Sequence, residues 1–261
     1  MKKLSKGGVP CYQFHLIDGF SEEINHAVFT RTGGVSSAPY NTLNVNFQSK
    51  DKRENVLENR RRVMKSMNLT YCISGVQTHS KNVLVIDAEK RAELFAEGRK
   101  TVEFDDTDAF VTNQRGIGLM IKVADCQAII FFDPGKKILG LAHAGWRGLK
   151  QNISAEVVAA MVKLGSNPGH ILVGMAPSLG MAHSGFTDVA AELGEEFLPF
   201  VKGGKVDLWE FSRRQLMALG IEERKIENAR IDTADREEGR QFFSYRREGE
   251  TGRFAVVAGM R

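Results

Sequence analysis

The chain has 261 residues and a mass of 29.0 kDa, with 42% hydrophobic and 26% charged residues. This composition is typical of a folded globular protein and excludes an intrinsically disordered chain. The formal net charge of +4 is too small to require a nucleic acid or a membrane as partner, yet it does not repel an anionic substrate. Cys11, Cys72 and Cys126 are odd in number and far apart, which excludes a disulfide framework and is typical of a reducing cytosol.

Targeting signals are not evident in the sequence. The amino-terminal stretch is basic, but no apolar segment of the kind found in a signal peptide follows it. The most apolar stretch, 116–132, contains Lys122 and Asp125, so it is not a membrane span. We therefore expect a cytoplasmic protein with neither a membrane nor a nucleic acid as partner. Without repeats or long linkers, residues 1–261 are predicted to form a single domain.

Helices and strands are predicted in an irregular order along the chain. Apolar residues at helical spacing predict four helices, over about 51–67, from about 154 to 164, over 187–197 and over 207–219. Asp207 is the predicted N-cap of the last helix and Gly220 its stop signal. Short apolar runs predict buried strands at 83–86, 118–123, 128–132, 138–142, 171–173 and 254–258. The lack of a strict βαβ rhythm favours an α+β fold with a mixed sheet over a doubly wound parallel sheet.

Two segments rich in arginine, 242–253 and 60–62, lead to further predictions. Residues 242–253 are predicted to form a last hairpin, whose arginines either face solvent or reach an anion site. The run Arg60-Arg61-Arg62 is predicted to lie on the solvated face of its helix.

A predicted hairpin brings a thiol close to an imidazole. The turn-forming stretch 133–137 separates two of the predicted strands, so these strands are expected to pair antiparallel. Pairing Phe132 with residue 138 or 137 places Cys126 opposite residue 144 or 143 respectively. Cβ atoms of such cross-strand neighbours are about 4.5–5.5 Å apart, which is close enough to share a metal or a proton. Cys126 and His143 are therefore expected to meet at the open end of the hairpin.

The best third partner is His79, in the polar stretch GVQTHS. Two imidazoles and one thiolate make the three-ligand set of a catalytic zinc site, which keeps a fourth position for water or substrate. Alternatively, His143 accepts the proton of Cys126 in a nucleophilic pair, with Asp125 or a backbone carbonyl orienting the ring. A third alternative is structural, since a lone cysteine in an apolar run is often a small buried hydrophobe. Cys11 and Cys72 have no convergent partner and are expected to be inert.

A candidate anion site lies in the segment FTRTGGVS. Arg31 can donate a forked pair of hydrogen bonds to phosphate, and the backbone of Gly33 and Gly34 can approach an anion closely. The same argument makes Arg147 in HAGWRG a candidate. The alternative for Arg31 is a tight turn that carries a surface arginine.

Six segments in series resemble a known family. They are 26–47 (HAVFTRTGGVSSAPYNTLNVNF), 75–80 (GVQTHS), 123–134 (VADCQAIIFFDP), 143–148 (HAGWRG), 173–180 (VGMAPSLG) and 242–253 (FFSYRREGETGR). They resemble the bacterial laccase-domain proteins, first called polyphenol oxidases and now described as purine nucleoside phosphorylases. The likeness covers essentially the whole chain, and the ADC and HAGWRG motifs with their spacing are its most specific part.

The resemblance implies that His79, Cys126 and His143, hereafter the His–Cys–His trio, bind zinc and that no other cofactor is needed. It implies mixed β-sheets flanked by helices, similar to the fold of a Cys/His deamidase toxin. It also implies phosphorolysis of adenosine, inosine, guanosine and methylthioadenosine, with adenosine deamination as a second activity. Purine nucleosides and phosphate are then the small-molecule partners.

Candidate roles extend beyond the His–Cys–His trio. Asp125 is a candidate proton carrier, and Arg31 is a candidate phosphate ligand in catalysis. Further candidates for binding substrate or phosphate are Gly33, Gly34, Asn44 and Arg147.

The chain departs from the family pattern in two places. Residues 181–186 (MAHSGF) replace a Pro-Cys-Cys-Tyr-like run, and Asp232-Thr233 replaces a Cys-Thr pair. These changes affect the expected substrate wall near 177–186.

Three other functions compete with the phosphorylase. One is a Cys126–His143 hydrolase acting in peptidoglycan precursor editing, and another is a copper-dependent polyphenol oxidase. Six histidines are too few for a mononuclear and a trinuclear copper site together, so we expect zinc rather than copper. If His79 lies far from the other two residues of the trio, a binding module without catalysis is the remaining option. The sequence leaves the oligomeric state open.

Overall fold

Two mixed β-sheets stack against each other in the computed structural model, which describes all 261 residues. The larger sheet contains, in spatial order, β1 (Lys2–Lys6), β2 (Val9–Gln13), β3 (Ile24–Phe29), β15 (Phe254–Met260), β8 (Ile117–Val123), β4 (Tyr71–Gly75) and β6 (Thr101–Phe104). The smaller sheet contains β14 (Ile226–Asn228), β11 (Leu172–Met175), β9 (Gln127–Asp133), β10 (Ile138–Ala144), β7 (Ala109–Thr112) and β5 (Val83–Ile86). A separate ribbon pairs β12 (Val201–Lys202) with β13 (Lys205–Val206).

Helices connect the strands. They are α1 (His15–Asp18), α2 (Arg53–Ser66), α3 (Ala88–Phe95), α4 (Trp146–Lys150), α5 (Ile153–Lys163), α6 (Val189–Glu192), α7 (Leu208–Ala218) and α8 (Tyr245–Glu248). None of them combines the length and the apolar character needed to cross a lipid bilayer.

Three buried clusters define the layers of the molecule. The largest cluster lies between the two sheets and contains Val123 of β8, Phe132 of β9 and Val256 of β15. A second cluster packs the outer face of the smaller sheet against α5 and α7. A third packs the outer face of the larger sheet against α2. Each sheet is therefore buried on both faces, which explains why its central strands are continuous apolar runs. The predicted α+β fold of mixed sheets flanked by helices is confirmed.

Three of the four predicted helices are confirmed as α2, α5 and α7. The Asp207 carboxylate caps α7 by accepting a hydrogen bond from the backbone N–H of Glu210, and Gly220 has a positive φ of 89° where the chain leaves the helix. The predicted helix over 187–197 is wrong. The short helix α6 ends at Glu192, and Gly194, with φ of 121°, separates it from a 3-10 turn over Glu195–Phe200. This left-handed backbone cannot continue a right-handed helix.

The predicted hairpin over 242–253 is also wrong. Phe242 and Phe243 are fully buried beside the larger sheet, and Ser244 caps the short helix α8 through the N–H of Arg247. Only the residues after this segment form a strand, β15.

The β9–β10 hairpin is confirmed, but its predicted register is wrong. Asp133 pairs with Ile138, so Phe132 lies opposite Leu139 and His143 lies opposite Ala128. Asp133 belongs to the strand through this pairing, and its carboxylate accepts hydrogen bonds from the N–H of Lys136 and from Ser166. The turn is therefore shorter than predicted. Cys126 directly precedes Gln127, the first residue of β9.

The position of Arg60 contradicts the prediction that the arginine run lies on the solvated face of its helix. Its side chain is 9% exposed, and its guanidinium donates to the Val45 carbonyl and to the carboxylate of Glu103 at 2.9 Å. Glu103 also forms an ion pair with the buried Lys122. Burial raises the pKa of Glu103, but Arg60 and Lys122 outweigh burial and lower this pKa to about 2. One carboxylate thus balances two cations between α2 and the larger sheet.

We expect Glu103→Gln to destabilise the fold by about 2–4 kcal/mol, because it leaves two buried cations without a counter-ion. The folded-state pKa of about 2 lies below the ordinary value of 4.5, so the contribution of Glu103 is complete above the ordinary value and is lost as pH falls toward 2. Urea unfolding of wild type and E103Q at pH 7 and near pH 3 measures this difference. Glu93→Gln, in an exposed pair with Lys90, is the control and should cost less than about 1 kcal/mol. Equal losses for the two variants would contradict the assignment.

Candidate metal centre

Two loops and the end of a strand bring the His–Cys–His trio together. His79 lies between β4 and β5, Cys126 lies between β8 and β9, and His143 is near the end of β10. One ligand atom from each residue lies within 4.8 Å of the others. The His79 Nε2 is 3.6 Å from the Cys126 Sγ, and the two imidazole centroids are 4.8 Å apart. Two imidazoles and a thiol at this spacing can hold a metal ion.

The carboxylate of Asp108 organises the trio from behind. Asp108 is fully buried and accepts hydrogen bonds from the backbone N–H groups of Thr78, His79 and Ser80 at 2.9–3.1 Å. It also accepts a bond from the Ser80 hydroxyl at 2.8 Å and one from the His143 Nδ1 at 2.7 Å. The last bond leaves the Nε2 of His143 as the atom that can bind a ligand. Asp108 therefore fixes the loop of one imidazole and the ring of the other.

Cys126 and His143 shift each other's pKa in opposite directions. Burial raises the pKa of the Cys126 thiol, but His143 and His79 outweigh burial and lower this pKa to about 6. Burial lowers the pKa of His143, but Cys126 and Asp108 outweigh it and raise this pKa to about 9. The thiolate, which is the form that binds metals and acts as a nucleophile, is thus favoured near neutral pH. Binding of a metal through His143 would release the imidazole proton.

Gly145 leaves the space that the trio needs. A Cβ atom at this position would lie 2.5 Å from Cδ2 of His79 and 3.1 Å from the Cys126 Sγ. Any larger residue would therefore push His79 away from its neighbours. The sequence alone does not mark this glycine as part of the site.

Asp125 holds the Cys126 loop against α8. Its backbone has a positive φ of 89°, and one carboxylate oxygen accepts a bond from the Thr233 hydroxyl at 2.7 Å. The other oxygen accepts a bond from the N–H of Arg246 at 2.6 Å. Both oxygens are therefore engaged by donors from the carboxyl-terminal part of the chain.

The trio borders a cavity of about 620 Å³, a size that suits a small organic ligand. Aromatic side chains on its wall are Trp146, Phe186 and Tyr245. Arg246 and Arg253 also line it. The cavity thus combines stacking surfaces, cations and the trio.

The candidate anion ligands are placed differently. Arg31 does not line the cavity; its guanidinium pairs with Glu248 at 2.5 Å and lies over the Phe243 ring. Gly33, Gly34, Asn44 and Arg147 are also absent from the wall of the cavity. Arg147 stacks on the Trp146 indole, with 4.2 Å between its Cζ and the ring centroid.

The two segments that depart from the family pattern, 181–186 and 232–233, are in contact. The Nδ1 of His183 lies 2.7 Å from a carboxylate oxygen of Asp232. Nearby, Gly185 and Phe186 line the cavity. The changed residues therefore support one wall of the cavity.

Cys11 and Cys72 are free and buried, and burial raises the pKa of each thiol to about 11. This agrees with the expectation that both are inert.

Asp108 is the functional candidate that the sequence analysis missed. It directly precedes β7, where Ala109 pairs with Ala142, and its own carbonyl accepts the N–H of His143. The available signal for Asp108 in the sequence was an acidic residue directly before a buried strand. The sequence does not show that β7 pairs with β10.

The fold and the site define an α+β protein with a cavity bordered by a potential His–Cys–His metal site. A profile of the family described as "Multi-copper polyphenol oxidoreductase laccase" matches residues 25–261. The chain therefore belongs to this laccase-domain family, which confirms the resemblance.

Curated relatives are named for an activity that differs from the oxidoreductase of the family description. The chain is 33% identical over 251 residues to a purine nucleoside phosphorylase of Corynebacterium glutamicum, covering 92% of this chain and 96% of that one. It is 30% identical over 255 residues to the purine nucleoside phosphorylase YlmD of Bacillus subtilis, covering 92% and 90%. The crystal structure of YlmD from Geobacillus stearothermophilus aligns with a TM-score of 0.83 at 26% identity, covering 99% and 98%.

We expect Asp108→Asn to weaken metal binding or activity about 10- to 100-fold, because the amide cannot accept all the bonds that orient the two imidazoles. Metal affinity and secondary structure should be measured together, to separate this loss from unfolding. Asp105→Asn, an exposed change on the same loop, is the control and should behave as wild type. Wild-type metal affinity in D108N would contradict the role of Asp108.

Gly145→Ala should abolish tight metal binding while the fold persists, because its Cβ would overlap His79. Metal content after equilibration with zinc, measured by elemental analysis, tests this expectation. Gly19→Ala is a matched control, since the nearest atom to its added Cβ is 3.7 Å away. Equal metal content in the two variants would show that the site tolerates the added methyl group.

Proposed function

We propose that this protein is a purine nucleoside phosphorylase that acts on adenosine, inosine, guanosine and methylthioadenosine. The observation that carries the proposal is one cavity that joins the trio to aromatic side chains and to two arginines. Neither Arg246 nor Arg253 forms an ion pair with a carboxylate. The names of the relatives support the same activity.

The proposed reaction replaces one bond to the ribose with another. An oxygen of inorganic phosphate bonds to C1′ of the ribose while the bond from C1′ to N9 of the purine breaks. The purine keeps the electron pair of that bond and gains a proton. Aromatic side chains can stack on the purine, and the guanidinium groups can hold the phosphate against developing positive charge on the ribose.

Zinc is the metal that we assign to the trio. Its donor set of two imidazoles and one thiolate is that of open zinc sites, and Asp108 supplies the supporting carboxylate. Bound zinc would act as a Lewis acid toward the substrate and would keep Cys126 deprotonated. Copper is disfavoured, because the chain has only six histidines and the trio is the one three-residue group of this kind in the structure.

Adenosine deamination is the second activity that we propose at this site. In that reaction water adds at C6 of the purine, and ammonia leaves, so that adenosine becomes inosine. The trio is suited to both reactions, since each needs a polarising group beside a bound purine. The cytoplasm, where nucleosides and phosphate are available, is the proposed location.

A Cys/His hydrolase acting on peptidoglycan precursors is the alternative function. The observation that favours it is the series Asp108, His143 and Cys126, with a carboxylate on the imidazole and a thiol of lowered pKa. This is the order of groups in a nucleophilic triad. Such an enzyme would cleave amides without a metal and without phosphate.

A nucleoside assay distinguishes the two functions. Wild-type protein is incubated with each nucleoside, with and without phosphate, and free base and ammonia are measured. The phosphorylase predicts base release only with phosphate, and a loss of at least about 100-fold in Cys126→Ala, because one of three metal ligands is removed. His170→Ala, an exposed histidine far along the chain from the trio, is the control.

Metal content completes the test. Protein purified without tags or added metal should contain zinc. Zinc-free protein that cleaves amides, and is inactivated when Cys126 is alkylated, would instead establish the hydrolase. Alkylation is selective because Cys126 is the only cysteine that is not buried.

A further inference from the structure

The cavity has a polar corner that no assigned role explains. Asn46, Gln48 and Arg253 line it, and they come from two segments that are about 200 residues apart in the chain. The guanidinium of Arg253 donates only through Nη1, to the carbonyls of Thr251 and Gly252 at 3.0–3.1 Å. Its Nε and Nη2 have no partner in the protein, and neither have the amide NH₂ groups of Asn46 and Gln48. Donors without a partner in the protein therefore line this part of the cavity, from half-buried Asn46 and Arg253 and from exposed Gln48.

A fully buried residue builds this corner. The side-chain carbonyl of Asn44 accepts the N–H of Asn46 at 3.1 Å and the N–H of Arg253 at 3.0 Å. Its amide nitrogen donates to Ser49 and Asp51 at 2.8 and 3.0 Å. A single side chain thus holds both segments of the corner in register. Such preorganisation is typical of a binding site.

The charge of the corner favours an anion. The carboxylates on the cavity wall are Asp125 and Glu192, and both are engaged by other donors. Glu192 accepts the backbone N–H groups of Thr187 and Asp188 at 2.8 and 3.0 Å. Arg253 itself forms no ion pair and donates only to two backbone carbonyls, so its charge is available for a ligand.

Arg31, by contrast, supports this corner from outside. Its partner Glu248 also accepts bonds from Arg247 and from the Thr251 hydroxyl at 2.6–2.7 Å. Through Glu248, Arg31 holds the segment that carries Tyr245 and Arg253. Because Glu248 neutralises the charge of Arg31, Arg31 attracts an anion less strongly.

We infer that Arg253, Asn46 and Gln48 form the subsite that binds inorganic phosphate, with Asn44 and Arg31 as positioning residues. The inference rests on the proposed phosphorolysis and deepens it. It replaces Arg31, Gly33, Gly34 and Arg147 as phosphate ligands. It also gives a positioning role to Asn44, which is fully buried and does not line the cavity.

Two variants test the subsite. Arg253→Gln removes the charge, and Asn46→Asp keeps the shape but replaces free amide donors with a negative charge. Each should raise the phosphate concentration for half-maximal base release about tenfold or more, because a charge-assisted hydrogen bond is lost or opposed. The KM for inosine at saturating phosphate should change by less than about threefold. Arg240→Gln, at an exposed arginine outside the cavity, should match wild type.

Arg31→Gln separates a ligand from a positioning residue. We expect it to raise the phosphate requirement, but less than Arg253→Gln does, because Arg31 acts on the subsite only through Glu248. An unchanged phosphate requirement in both R253Q and N46D would overturn the inference, and so would a larger rise in R31Q than in R253Q.

A binding measurement keeps this test independent of the reaction. Inorganic phosphate should raise the Tm of wild-type protein relative to chloride at equal ionic strength, since it binds the folded state. This increase should be lost in R253Q and N46D. If wild type releases no base yet shows this pattern, the proposed function fails and the anion subsite stands. If phosphate raises the Tm of R253Q and N46D as it does that of wild type, the subsite is wrong.

Discussion

The candidate site depends on the buried carboxylate of Asp108. A buried charge is costly unless it is paired and fully hydrogen-bonded, and Asp108 meets this condition with three backbone N–H groups, a hydroxyl and an imidazole. The bonds that stabilise the charge are the same bonds that shape the His79 loop and orient the His143 ring. Stability and function are therefore coupled at this residue. The thiolate of Cys126 is favoured as a consequence, because the imidazole beside it is held and kept positive.

The same arrangement recurs around the cavity, where buried polar side chains hold the residues that face the ligand. Asn44 joins the Asn46 turn to Arg253, and Asp125 joins the Cys126 loop to α8. Polar loops that meet at strand ends cannot be ordered by apolar packing alone. Side-chain amides and carboxylates that accept backbone N–H groups provide this order, since each such bond fixes the backbone as well as the side chain.

The family description and the names of the relatives point to different chemistry. A multicopper oxidase needs several copper ions, whereas the structure assembles one three-residue group. The cavity instead offers aromatic surfaces, two guanidinium groups that form no ion pair, and the trio, and this combination supports the proposed phosphorylase. Sites of this kind are defined by their geometry and charges, and a fold alone does not determine a reaction.

The sequence by itself determined the α+β class, the β9–β10 hairpin and three helices, because apolar periodicity and turn residues are local signals. It also brought Cys126 and His143 together, because these two residues flank one hairpin. The register, the broken helix at Gly194 and the buried state of Arg60 depended on residues distant in the chain. Asp108, Asn44 and Arg253 acquired their places only in the tertiary structure. Their roles follow from pairing between non-adjacent strands and from hydrogen bonds across about 200 residues, which no local pattern records.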